Sequence, residues 1–244
     1  MFPEQRTLGR FRGLVARGGL DFPPILAIHG AFGHPAQFTP LMMGMAQRGF
    51  TFYALPLSGH VEGTSDAVRG LGMSDYVRDV VEMLRHFRSP PVLLGHSMGG
   101  LVCEKVAEQS AVAGLILAAA APAAPLMATL KALPTWFGLM PRMLRGAPLL
   151  PPRDAIAALA FVNSDMTQRQ ALLADVVPES GRAMRDMIIG GVKVQHAAIR
   201  CPVLSFFGDM DHLVPPWQMR AEARRLRATV VEYRGAGHYL MEDP

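Results

Sequence analysis

The sequence is short of several things, and each shortage narrows what the chain can be. It holds two cysteines, Cys103 and Cys201, too few for a disulfide framework. Both read as small core residues, one on a helix and one opening a strand. There is no HExxH and no paired CxxC, and the glycines over 13–19 do not follow a GxGxxG strand-to-helix plan. Neither a metal nor a nucleotide cofactor is therefore expected. There is no run of Lys or Arg. The net charge of +4 is scattered, and the Arg-rich stretch 220–227 alternates with Ala, Glu and Leu as a solvated helix face does, so nucleic-acid binding is not expected. No apolar leader follows Met1, which points away from secretion and toward the cytoplasm. The longest uncharged stretch, 109–130, is interrupted by Pro122 and Pro125, which suits a buried strand running into a loop better than a membrane span.

Half of the chain is apolar (50%), and 244 residues can bury a sizeable core as one α/β domain with an insertion. A weak alternation over 11–17 suggests one strand of an opening hairpin. Ile25, Leu26, Ala27 and Ile28 form a continuous apolar run, the mark of a strand buried on both faces. A helix is expected over 35–47, with Phe38, Leu41, Met42 and Met45 on one face, and a strand over 50–55. The stretch 73–87 is amphipathic, with Tyr76, Val77, Val80, Val81 and Leu84 inward and Ser74 and Asp75 placed to act at its N-terminus. Strands follow over 92–94, 114–118, 203–207 and 230–233, with a helix over 217–226. Strands alternating with helices at this spacing imply a doubly wound, mostly parallel sheet. From 122 to 196 the pattern changes to Pro, Met, Leu and Ala in short helical stretches. This reads as an inserted helical cap, with the core made of 1–121 and 197–244.

The stretch PPVLLGHSMGGLV organises the rest. An apolar strand runs straight into Gly95-His96-Ser97-Met98-Gly99 and then a helix. Strand, G-x-S-x-G and helix together form a nucleophile elbow, a turn so tight that the serine must adopt a strained backbone. Gly95 and Gly99 leave room for neighbouring backbone. Ser97 is lifted clear of the sheet to a helix N-terminus, where free N–H groups gather.

In four blocks the chain resembles the α/β-hydrolase superfamily: IHGAFG (28–33), GHSMGG (95–100), FFGDMDHLVP (206–215) and GAGHYLMEDP (235–244). They occur in that superfamily's order of oxyanion loop, serine, acid and histidine. The resemblance implies the α/β-hydrolase fold and a Ser-His-acid triad. A serine hydroxyl needs a base and an orienting third group. His238, in a Gly-Ala-Gly-His turn after the last strand, fits the base. Asp209 and Asp211 compete for the acid. The family spacing G-x-x-D-x-x-V-P falls on Gly208, Asp211, Val214 and Pro215, so the carry-over is to Asp211, with Asp209 shaping the turn. The oxyanion donors implied are the N–H of Met98 and that of Ala31, with Phe32 as the alternative. His34 and His60 sit on early loops that could border the site, but a solvated position is the expectation for both. His96 is expected to pack beside the sheet.

The function implied is a serine hydrolase cleaving carboxylic esters of small to medium hydrophobic substrates through an acyl-enzyme. Phe32, Trp136, Phe137, Met140 and Met143 are candidate substrate-binding residues, although the cap residues among them fit equally well as cap core. Lactone, thioester, amide or carbon–carbon bond hydrolysis stay open on the same triad. A ligand-binding receptor that keeps the fold is the alternative from another class. Haloalkane dehalogenases share this layout, but they need Asp where Ser97 stands. After His238 only six residues remain. Asp243 would suit an N-cap and Pro244 a first helical position, so a helix is expected to be starting there. Its absence would leave an apolar strip for the cap or a second copy to cover, a homodimer being one such arrangement.

Overall fold

A computed structural model describes residues 3–241. Two antiparallel strands, β1 (Glu4–Leu8) and β2 (Phe11–Ala16), form the opening hairpin. Six parallel strands follow: β3 (Ile25–Ile28), β4 (Phe52–Ala54), β5 (Val92–His96), β6 (Gly114–Ala118), β7 (Val203–Gly208) and β8 (Thr229–Tyr233). Across the sheet they lie in the order β1-β2-β4-β3-β5-β6-β7-β8. The chain thus reverses direction across the sheet between β3 and β5, the crevice where open α/β sheets place their sites.

The period of two along β3 sorts its side chains onto two faces. Leu26 and Ile28 enter one core with Tyr76, Val80, Leu93 and Val102. Ile25 and Ala27 enter the other with Phe38, Met42, Phe52 and Leu94. All four β3 residues are buried, so the strand carries no polar position.

Four helices flank the sheet: α1 (Thr39–Gln47), α2 (Met73–Leu84), α3 (Met98–Ala107) and, after the insert, α8 (Pro216–Arg225). The helix expected over 35–47 is divided. Pro35–Phe38 forms a 3-10 turn before α1 begins at Thr39. Pro40 has no N–H for the Ala36 carbonyl, and the Thr39 N–H takes that acceptor instead, which tightens the turn. At the start of α2, Asp75 reaches back and accepts from the Gly72 N–H at 2.7 Å.

The chain leaves the sheet after β6, which ends at Ala118, and returns at Val203, the start of β7, so the insert lies between them. This insert carries α4 (Leu133–Leu144), α5 (Arg153–Ala160), α6 (Met166–Ala174) and α7 (Gly181–Ile188). α4 packs on α7, α5 on α6, and α7 also on α2. No helix among the described residues is long and apolar enough to cross a membrane. On the edge strand β8, Val230, Val231 and Tyr233 are exposed. The helix start expected at Asp243 and Pro244 lies outside the described residues.

Candidate active site

β5 ends at His96 and α3 begins at Met98, which leaves Ser97 alone in the turn. Its backbone is at φ 52°, ψ −120°, a region that costs a non-glycine residue ~1–3 kcal/mol. Backbone bonds on both sides hold it there. Ser97 donates its N–H to Ala118 at 3.0 Å, and its carbonyl accepts from Gly100 at 2.9 Å and Ala121 at 3.0 Å. A Cβ on Gly99 would stand 2.4 Å from the carbonyl oxygens of Ile28 and His29, and one on Gly95 2.4 Å from that of Gly99. The two glycines of the motif are thus what lets α3 begin against the end of β3.

The loop after β8 brings His238 to the same end of the sheet. Its Nδ1 donates to Asp211 Oδ2 at 2.7 Å, and the two side chains are 4% and 0% exposed. The other Asp211 oxygen accepts the N–H groups of Leu213 at 2.7 Å and Val214 at 2.9 Å. Asp209 is used differently: its Oδ1 accepts from the Gly235 N–H at 2.7 Å and pins the start of the histidine loop.

His96 packs beside His238, with ring centroids 5.0 Å apart. Its Nε2 donates to the His238 carbonyl at 3.1 Å. Burial, then the neighbouring His238, push its pKa down to about 3, so it stays a neutral donor to that carbonyl. The residue just before the elbow serine therefore supports the histidine loop.

The loop after β3 runs through Gly30, Ala31 and Phe32, the last at φ 61°. His29 anchors it. The Leu57 N–H donates to His29 Nε2 at 3.1 Å, which leaves Nδ1 to donate to the Gly30 carbonyl at 2.9 Å. Burial, reinforced by nearby His60, holds the His29 pKa well below the ordinary value, in keeping with this single-donor form. Met98 is the first residue of α3, so its N–H has no acceptor within the helix.

Two expectations about histidines are corrected. His60 is not solvated: it is fully buried beside His29, with Nε2 3.0 Å from Glu179 Oε2. His34 is half-buried, and its Nδ1 accepts from the Ala36 N–H to cap the 3-10 turn. Glu179 itself gave no sequence signal, because its partner lies 119 residues away.

A cavity of about 910 Å³, open mouth included, reaches Ser97 and His238. Ala31, Phe32 and His96 line its floor, and Trp136, Leu159 and Phe161 of the insert line its upper wall. Of the candidate substrate-binding residues, the structure brings Phe32 and Trp136 to this cavity. Phe137, Met140 and Met143 line a second apolar cavity that shares Leu126 and Trp136 with the first. Phe137 is 68% exposed. Ile156 and Leu159 also line the first cavity; in the sequence the spacing of α5 marks an apolar face but not what it covers.

Among the described residues, one group has the spacing of a metal site. Ligand atoms of Glu104, His196 and Glu222 lie within 4.8 Å of one another. The set fits a cation poorly. Both Glu222 oxygens are already held, by His196 at 2.5 Å and Arg225 at 2.7 Å. Glu104 is fully buried with neither oxygen hydrogen-bonded, His196 Nε2 lying 3.9 Å from one of them. Burial, then the Glu222 charge, raise its pKa well above the usual carboxyl value, so it stands as an uncharged acid beside a paired carboxylate. Burial also raises the Cys103 thiol, leaving it inert.

The model of the alpha/beta hydrolase family matches residues 25–244. The chain belongs to that family. Over 196 residues it is 29% identical to a thermostable monoacylglycerol lipase of Bacillus sp. (strain H-257), covering 79% of this chain and 72% of that one. It is 33% identical to a pyrethroid hydrolase of Sphingobium wenxiniae over 103 residues, a match spanning 41% of this chain and 37% of the relative. Among solved structures, a soluble variant of the Saccharomyces cerevisiae monoglyceride lipase superposes with a TM-score of 0.77 at 17% identity, covering 100% of this chain and 90% of that one. These structural likenesses are to the fold.

Proposed function

We propose that this α/β hydrolase is a serine carboxylesterase acting on esters with an apolar acyl or alcohol group. Its catalytic residues would be Ser97, His238 and Asp211, with the N–H groups of Ala31 and Met98 as oxyanion donors. The observation that carries the reading is the 2.7 Å bond from His238 to buried Asp211, with His238 lining the same cavity as the strained Ser97.

With Nδ1–H committed to Asp211, His238 presents Nε2 as a free base. It takes the Ser97 proton as the hydroxyl oxygen attacks the ester carbonyl. The carbonyl oxygen becomes an oxyanion, where fixed backbone donors act without reorganising. The tetrahedral intermediate collapses, the protonated His238 gives its proton to the leaving alkoxide, and an acyl-serine remains. Water attacks next, with His238 again the base, and the acid leaves. The apolar cavity wall would hold a hydrophobic substrate group by burial. Relatives named monoacylglycerol lipase and pyrethroid hydrolase support an ester with a hydrophobic part.

A fluorophosphonate probe together with p-nitrophenyl esters of graded chain length tests the reading. Covalent labelling at Ser97 and multiple turnover are expected. Binding of esters without turnover, and no label at Ser97, would overturn it.

A further inference from the structure

The turn at Ala31 and Phe32 is held by the insert. The Val177 N–H donates to the Phe32 carbonyl at 3.1 Å. Two residues on, Glu179 pairs with Leu149 through two backbone bonds, 2.8 and 2.9 Å long, and its side chain turns into the core. There Glu179 Oε1 accepts from the Tyr76 hydroxyl at 2.5 Å and from the Ser180 N–H at 2.6 Å, while Oε2 faces His60 Nε2 at 3.0 Å. The other His60 nitrogen, Nδ1, faces the Ser58 carbonyl at 3.1 Å.

Both ring nitrogens of His60 thus face acceptors that have no proton to give. Only the doubly protonated ring satisfies both. We propose that His60 and Glu179 are positioning residues, a buried imidazolium–carboxylate pair that fixes the oxyanion turn through the insert and releases it when His60 loses its proton. This rests on the ester-hydrolase reading of Ser97.

Each element packed around His60 contributes a group that bears on this charge. His29, at the end of β3, lies 4.6 Å away ring to ring and is neutral, as its bonding to Leu57 and Gly30 requires. Tyr76 of α2 meets the ring edge-on at 5.6 Å and donates to Glu179. Asp79 of α2 accepts from the Ser58 N–H and hydroxyl, and pairs with Arg10 of the hairpin. His34, on the loop after β3, also bears on this charge, and burial lowers its own pKa. Among the described residues, the charge directly opposite the imidazolium is therefore Glu179. Burial opposes the His60 charge, but the Glu179 carboxylate and its hydrogen bond outweigh it, and the pKa lies above the ordinary histidine value. The sign follows. The His60 charge is complete below the ordinary histidine range and is lost as pH rises through the raised His60 pKa. Neutral His60 would turn a lone pair toward either Ser58 or Glu179. A carboxylate short of a donor in a dry site is costly, and the insert segment 177–180 would yield first.

The test uses the whole chain. Turnover of a p-nitrophenyl ester by the wild type should fall at alkaline pH. Glu179→Gln should lower kcat about tenfold with KM nearly unchanged, and should move the alkaline limb to lower pH. A purely structural contact would lower Tm and leave the profile in place. Nitrogen-15 NMR of the histidines is read alongside, because it needs neither turnover nor a folded variant. The ring assigned to His60 should remain an imidazolium at about pH 8, told apart from His196, which also faces a carboxylate. A neutral His60 ring at that pH, or an active Glu179→Gln variant with the wild-type profile, would overturn the proposal. A wild type that neither labels nor turns over while the imidazolium persists would overturn the ester-hydrolase reading, and the positioning role with it, while leaving the ion pair itself observed.

Discussion

Asp211 meets His238 at 2.7 Å while its second oxygen accepts two backbone N–H groups of its own loop. One carboxylate therefore orients the imidazole and is itself oriented. Asparagine can do only part of this. It has one acceptor oxygen, so its NH₂ must face either the Leu213 and Val214 donors or His238 Nδ1. Asp211→Asn is expected to lower kcat by about 10³–10⁴, on the scale of a triad acid replaced by its amide. Asp209→Asn keeps an acceptor for the Gly235 N–H and is expected to change kcat by less than about tenfold. Steady-state kinetics on both variants, with circular dichroism to confirm folding, checks the ranking.

Ser97→Ala keeps the Cβ and hence the strain at φ 52°. It should fold normally and lower kcat by at least about a thousandfold. Ser97→Gly should be equally inactive, yet more stable than Ser97→Ala if the relief of strain, ~1–3 kcal/mol, exceeds the entropy glycine adds to the unfolded chain, ~0.4–1 kcal/mol. Paired denaturant melts measure the difference.

Trp136 borders both apolar cavities, whereas Phe137 is exposed. Trp136→Ala would join the two spaces and should shift the preferred ester toward longer or bulkier groups. Phe137→Ala should leave the preference unchanged. Ratios of kcat/KM across a chain-length series decide this.

Glu104→Gln replaces the buried acid with an uncharged side chain whose amide can donate to Glu222. The Glu104 pKa is raised in the fold, so the native state favours the protonated form. Wild-type stability should therefore fall, relative to the variant, as pH rises above the unfolded carboxyl range. Thermal melts should show the variant ahead at neutral pH, by about 2–4 °C for each kcal/mol gained. The advantage should vanish in acid.

Much of the fold is legible in the sequence because its signals are local. Ile25 to Ile28 read as a buried strand since every residue is apolar. Gly95 and Gly99 mark the elbow since a Cβ at either would meet backbone. Asp211 and His238 were reachable only through motif spacing. The His60–Glu179 pair was not legible, because a lone histidine on an early loop has the same local signature whether or not a distant carboxylate covers it. Phe137, Met140 and Met143 show the opposite difficulty. Their apolar character is evident, but which of two neighbouring cavities they face depends on how α4 turns, and composition does not fix that.

The insert also bears on how this chain could change over time. β6 and β7 lie side by side, with Leu115 opposite Val203, although the whole insert separates them along the chain. The entropy of closing such a loop grows only logarithmically, by ~0.6 kcal/mol per doubling of length. The sheet is therefore nearly indifferent to how long the excursion is. On the positioning role proposed for Glu179, turnover rather than folding depends on a short landing strip, residues 177–180, which reaches Phe32, His60 and Tyr76. Lengthening, trimming or grafting between β6 and that strip offers a route to new substrate ranges, whereas recombination breakpoints inside it should yield folded but slow enzymes.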